Sequence, residues 1–130
     1  MVEAYNDVAE RYVSAAGASV DNDIPESAGF LTYHAFESAG GALTTHLGAV
    51  YSKRHKAKLN QFTQHANALG RGLIVAQLAI ELASSRNKFL YPEERPDGSI
   101  VRPRDVITRT QATTLTKRVR GIVQWVRAST

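Results

Sequence analysis

Apolar residues recur at helical spacing along five stretches of the chain. In the first, residues 2 to about 16, Tyr5, Val8 or Ala9, Tyr12 and Ala16 make a narrow stripe, and Gly17 reads as the stop. The turn Asp21-Asn22-Asp23-Ile24-Pro25 follows, with Asp23 placed to cap a second helix from about Ile24 to Tyr51. That helix carries Tyr33, Phe36, Ala39 or Gly40, Leu43, Leu47 and Val50 on one face. Its Gly40-Gly41 pair costs about 1 kcal/mol per glycine relative to alanine, which points to close approach of a neighbouring helix or to a kink. A third helix over about 53 to 69 faces Leu59, Phe62, Ala66 and Leu69 inward, and Gly70-Arg71-Gly72 ends it. The fourth, about 72 to 91, is apolar on most sides. It reads as the central helix of a bundle, or as one that also forms a subunit contact. Two prolines and Asp97-Gly98 make residues 92 to 103 a loop, with room for a short hairpin around Ser99-Ile100-Val101. A last helix from about Arg104 to Arg127 buries Thr108, Ala112, Leu115, Val119, Ile122 and Val126. The pattern predicts an all-α fold, an up-and-down bundle of four to five helices, in one domain spanning 1–130.

Composition narrows the class. The chain has 130 residues, 43% of them apolar, enough for a core without covalent staples. It has no cysteine, which excludes a disulfide framework and thiolate metal sites. The N-terminal residues lack the basic start and apolar run of a signal peptide, and no stretch approaches the roughly 20 apolar residues of a membrane helix. The expectation is a soluble, cytoplasmic protein without membrane contact. The net charge of +4 is unevenly spread. Residues 1–52 hold seven acids and one base, a balance of −6, and residues 53–130 hold fifteen bases and five acids, a balance of +10. Such polarity marks either a half that binds polyanions or two halves that attract each other within one bundle.

Candidate chemistry is sparse. No two of His34, His46, His55 and His65 form a His-x-x-x-His pair, and none has a carboxylate at a zinc spacing, so neither metal nor cofactor is expected. His55 lies on the Leu59, Phe62, Ala66 stripe, as a buried or interfacial histidine with a hydrogen-bond partner would. There is no Gly-rich phosphate loop and no nucleophile elbow. On the last helix, Arg109, Arg120 and Arg127 fall close together at 100° per residue, with Lys117 beside them. This stripe either meets nucleic-acid phosphates or is a solvated face. In Arg86-Asn87-Lys88-Phe89-Leu90-Tyr91-Pro92 a polar Arg-Asn pair ends a strongly apolar helix and an aromatic-Pro pair closes it. Taken alone, Arg86 and Lys88 there complement a helix C-terminus.

The order of segments adds to this. Tyr33-His34-Ala35-Phe36-Glu37-Ser38-Ala39-Gly40-Gly41-Ala42-Leu43 is followed by His55-Lys56-Ala57-Lys58-Leu59-Asn60-Gln61-Phe62. Then come Arg86 to Pro92, a Pro-rich loop, and a final helix with Gln111-Ala112. From Pro25 onward the chain resembles the HEPN family of helical nucleotide-binding domains. The resemblance implies a helical bundle, usually a homodimer. Many members are metal-independent endoribonucleases of toxin–antitoxin or antiviral systems, with an antitoxin or other protein as partner, and others are interaction modules. The family motif is Arg, a polar residue, then His about a turn later. Arg86 and Asn87 match the first two places, and Tyr91 stands where His is expected. Tyrosine, with an ordinary pKa of about 10, is a poor base, while RNA cleavage needs a base and an acid near neutral pH. The resemblance therefore assigns phosphate binding to Arg86, its orientation to Asn87, and stacking or hydrogen bonding to Tyr91. It leaves His55 or His34 to supply the base. The alternative is a non-enzymatic module that binds partners or dimerises through the fourth helix.

Overall fold

The computed structural model describes residues 1–130. Five helices, α1 (Val2–Asp21), α2 (Pro25–His46), α3 (His55–Ala68), α4 (Gly72–Leu90) and α5 (Arg109–Ser129), form an all-α up-and-down bundle. The α4–α5 connection holds an antiparallel hairpin of two-residue strands, β1 (Glu93–Glu94) and β2 (Ile100–Val101), and one 3-10 turn at Pro103–Asp105. No helix is long and apolar enough to cross a membrane.

The centre is α2, which packs against all four other helices. The apolarity of α4 pointed to that helix instead, yet α4 leaves Leu73 and Ile80 73% exposed and Ile74 45% exposed. What qualifies α2 is the size of its side chains. Gly29, Gly40 and Gly41 receive the rings of Phe89, Phe62 and Tyr5, one each from α4, α3 and α1. A Cβ on any of them would fall within 2.9 Å of a ring carbon. The glycine pair thus serves close approach, inside an unbroken helix. Tyr33, Phe36, Leu43, Phe62, Leu78, Leu82, Val119 and Val126 join one apolar core drawn from α2, α3, α4 and α5, which Ala9, Val13, Ala16 and Val20 complete from α1.

Helix ends differ from the sequence reading for identifiable reasons. Helix α1 runs through Gly17 to Asp21, because the chain turns only at Asp23, whose φ is +60°. Bonds from Asp23 N–H to Val20 O and from Ile24 N–H to Ser19 O close the end, so Asp23 terminates α1 rather than capping α2. Helix α2 stops at His46, short of Tyr51, because Gly48 adopts φ +80° and the amides of Gly48 and Ala49 close onto Thr45 and Thr44. Leu47 and Val50 consequently lie outside the helix and are exposed. Exposure likewise removes Val8, Tyr12 and Leu69 from the expected stripes. Helix α5 begins at Arg109, later than expected, where Thr108 and Gln111 form a reciprocal capping box.

Candidate functional site

One carboxylate is buried in the bundle, that of Glu37 on α2. It sits one turn after Tyr33, so both project on the same face. The Tyr33 hydroxyl donates to Glu37 Oε2 at 2.7 Å, and His55 Nδ1, at the start of α3, donates to the same oxygen at 2.5 Å. Lys58 Nζ stands 3.5 Å from Oε1. Burial alone would raise the carboxyl's pKa. The bonds from His55 and Tyr33 and the Lys58 charge outweigh it, and the net shift is downward. An ionised carboxylate only accepts, so the Nδ1 proton belongs to His55 and Nε2 is left as the basic nitrogen. No protein group bonds Nε2.

The linker after α2 closes over this group. Tyr51 donates to the backbone oxygen of Glu37 at 2.5 Å, and Gln61 on α3 pins the linker through Val50 O and Ser52 N–H, both at 2.9 Å. Positive charge at the α3 N-terminus is unfavourable by itself. Here the carboxylate of Glu37 answers it through His55 and Lys58.

His55 opens onto a cleft of about 460 Å³ between α3 and α4, which Arg86 and Asn87 enter from α4. The Arg86 guanidinium lies 5.4 Å from the Tyr33 ring centroid, within the range of a cation–π contact. Its Nη1 donates to Asn87 Oδ1 at 3.2 Å, while its Nε is buried without a partner. Leu59, Ala79, Ile80 and Ala83 give the cleft an apolar wall. The arrangement combines a buttressed imidazole with a fixed cation, which is a means of moving a proton beside a bound anion.

The other sequence candidates lie elsewhere. Tyr91 is 63% exposed beyond the end of α4, in a shallow depression with Lys88, Pro92 and Glu93 that only Asn87 shares with the cleft. His34 is packed edge-on against Phe30, Tyr12 and Tyr33, with centroids 4.4, 5.8 and 5.8 Å away. Burial is the main reason its pKa is lowered, against an opposing pull from Glu37. His46 and His65 form no part of the cleft. Arg109, Lys117 and Arg120 line one depression between α1 and α5. Arg127 is separated from them and holds Glu3 at 2.6 Å and Glu10 at 3.6 Å. That pair, with Lys58–Glu37, realises the attraction between the acidic and basic halves. No three His, Cys, Asp or Glu side chains converge as a metal site would require.

Sequence reasoning missed Glu37, Tyr33, Lys58 and Tyr51 as site residues. A carboxylate on the face that otherwise carries Tyr33, Phe36 and Gly40 was the available signal. Its link to His55, eighteen positions away, has no local signature. Comparison with family models, curated proteins and solved structures returned no match for this chain.

Proposed function

We propose that the chain is a HEPN-like helical domain that binds RNA and cleaves its phosphodiester bonds without a metal ion, in a toxin–antitoxin or defence-type setting. One observation carries this reading: His55, backed by the buried Glu37, shares a cleft with Arg86 and Asn87. In the proposed reaction His55 Nε2 takes the proton of a ribose 2′-hydroxyl. The 2′-oxygen attacks phosphorus, and the bond to the 5′-oxygen breaks. The imidazolium then returns its proton to that leaving oxygen, giving a 2′,3′-cyclic phosphate and a 5′-hydroxyl. Arg86 offsets the charge that accumulates on the phosphoryl oxygens, and Asn87 orients the phosphate. Glu37 holds the imidazole tautomer and its orientation, as a carboxylate partner does in other histidine bases. The missing motif histidine at Tyr91 is, on this reading, replaced by one from α3.

The assay is purified protein with mixed RNA and a chelator. Cleavage persists in the wild type. It falls about two to three orders of magnitude in Arg86→Ala and about two to four in His55→Ala. Cleavage abolished by the chelator overturns the mechanism. A silent wild type that gains activity as Tyr91→His identifies a degenerate nuclease, and silence in every variant removes catalysis altogether.

A second reading, a non-enzymatic dimerisation or partner-binding module, draws on α4. Leu73 and Ile80, two turns apart on one face, are each 73% exposed, and isolated soluble domains seldom leave such a row in water. A homodimer through Leu73 is compatible with both readings, whereas one that also covers Ile80 closes over a wall of the α3–α4 cleft. Light scattering that gives a monomer mass at micromolar concentration refutes it.

A further inference from the structure

Helices α1 and α5 pack against each other and against α2, and they run antiparallel. Arg127 near the end of α5 holds Glu3 at the start of α1, and Arg120 lies against Gly17 farther along. Between them opens a depression of about 370 Å³, walled by Gly17, Asp21, Arg109, Thr113, Lys117 and Arg120. The three cations share one face of α5, Lys117 and Arg120 one turn apart and Arg109 about two turns before them, and none has an acidic partner within ion-pair distance. Arg127, on the same helix, has two. Asp21 is the only carboxylate lining the depression.

Part of this charge has a structural use. Helix α1 has no basic residue in its last turn, and cations from α5 complement its C-terminal dipole. That dipole amounts to about half a charge, and with Asp21 it still leaves the cations in excess. Grouped like charges destabilise a fold unless an anion offsets them. The donors are also specific in kind. The Thr113 and Thr116 hydroxyls are spent on the carbonyls of Arg109 and Ala112, at 2.9 and 2.7 Å. What remains is two guanidinium forks and one ammonium, the groups suited to phosphate oxygens. Gly17 makes room for this, since a Cβ there would stand 3.2 Å from Arg120 Nη2. Neither aromatic ring nor carboxamide lines the depression, so it offers nothing with which to stack or read a base.

We propose that the α1–α5 depression binds backbone phosphates of single-stranded RNA, independently of sequence, as a second contact for the substrate of the α3–α4 cleft. The inference rests on the RNA reading of that cleft and adds where the strand is held. The two sites share no lining residue, so the depression governs binding of the strand and leaves the chemistry to His55 and Arg86.

The test is the salt dependence of binding to a labelled single-stranded RNA, in the wild type and in the triple variant Arg109→Ala, Lys117→Ala, Arg120→Ala. Single strands give a slope of about −0.7 per phosphate neutralised. The triple variant therefore loses about two from the slope of log K against log salt, and about 100-fold in affinity at 0.1 M salt relative to 1 M. A control triple, Arg11→Ala, Arg95→Ala, Arg104→Ala, removes the same charge from exposed positions outside the depression and keeps most of the slope. Equal loss in both triples reduces the effect to net charge and overturns the site. Inorganic phosphate at millimolar concentration competing fully with RNA assigns the depression to a free anion and overturns the RNA contact. An unchanged slope in the first triple, with Arg86→Ala still defective in cleavage, rejects this inference alone. Absence of any salt-dependent RNA binding rejects it together with the proposed function. Circular dichroism confirms that each variant is folded.

Discussion

Replacing Glu37 with alanine tests whether the polar centre of the site is also part of what holds the bundle together. The carboxylate is 5% exposed and accepts from Tyr33 and His55 on one oxygen while facing Lys58 with the other. Its removal leaves the Tyr33 hydroxyl, in a residue 1% exposed, without an acceptor, which costs about 1–3 kcal/mol. Loss of the half-exposed His55 contact and the Lys58 contact adds less, because water substitutes for Glu37 there. Together these place Glu37→Ala at about 3–4 kcal/mol, near the range for breaking one side of a buried ion pair. In a domain of this length that is a fall in Tm of about 10–15 °C. Tyr33→Phe removes the same hydroxyl and keeps the ring beneath Arg86. The double variant should therefore be less destabilised than the sum of the two, with a coupling of about 1–2 kcal/mol. Urea unfolding followed by circular dichroism measures all four proteins. A Glu37→Ala protein within 1 kcal/mol of wild type, or strict additivity with Tyr33→Phe, would refute the claim that the hydroxyl and carboxylate form one buried unit.

Acid should expose the same group. The pKa of Glu37 is lowered on folding, so its contribution is complete above the ordinary carboxylate pKa of about 4.3. It is lost as pH falls through the folded value; the acid limb of a stability–pH curve should be shallower in Glu37→Gln, and identical limbs argue against the shift. At the alkaline end, burial foremost and then contact with Glu37 push Tyr33 and Tyr51 upward, so stability is complete below about pH 10 and declines above it. Tyrosinate absorbance should show a loss of late-ionising tyrosine in Tyr33→Phe and in Tyr51→Phe relative to wild type; the same alkaline titration in all three proteins would contradict this. Gly40→Ala and Gly41→Ala should destabilise by about 1–3 kcal/mol despite better helix propensity, because Phe62 and Tyr5 occupy the space. Gly121→Ala, which meets nothing within 4 Å, should stabilise by about 0.5–1 kcal/mol, and thermal melts that reverse this order refute the packing argument. Thr108→Ala should cost about 1 kcal/mol and increase hydrogen exchange in the first turn of α5 through loss of its cap; unchanged exchange there would show the cap to be dispensable.

The sequence by itself determined the helical class, five helices and most of the inward faces. Repetition at 3.6 residues is a local property, and Phe36, Leu43, Leu59, Phe62, Val119 and Val126 follow it without help from the rest of the chain. The Gly40-Gly41 pair left close packing or a kink open, and the rings of Phe62 and Tyr5 against an unbroken helix decide for close packing. Tertiary structure decided what hydrophobicity cannot rank. The central helix is α2, which packs against the four other helices, while α4, apolar on most sides, leaves Leu73 and Ile80 exposed. Helix ends were settled by backbone geometry: α1 runs past the stop expected at Gly17 and turns only at Asp23, while the left-handed residue Gly48 halts α2 short of the expected Tyr51. The site was legible only in its parts. Arg86 and Asn87 stand together in sequence, but the pairing of His55 with Glu37 crosses between two helices, and the separation of Arg127 from Arg109, Lys117 and Arg120 depends on which acidic residues of α1 lie opposite each turn of α5. Spacing along one helix says which side chains share a face, and only the packing of helices says what that face meets.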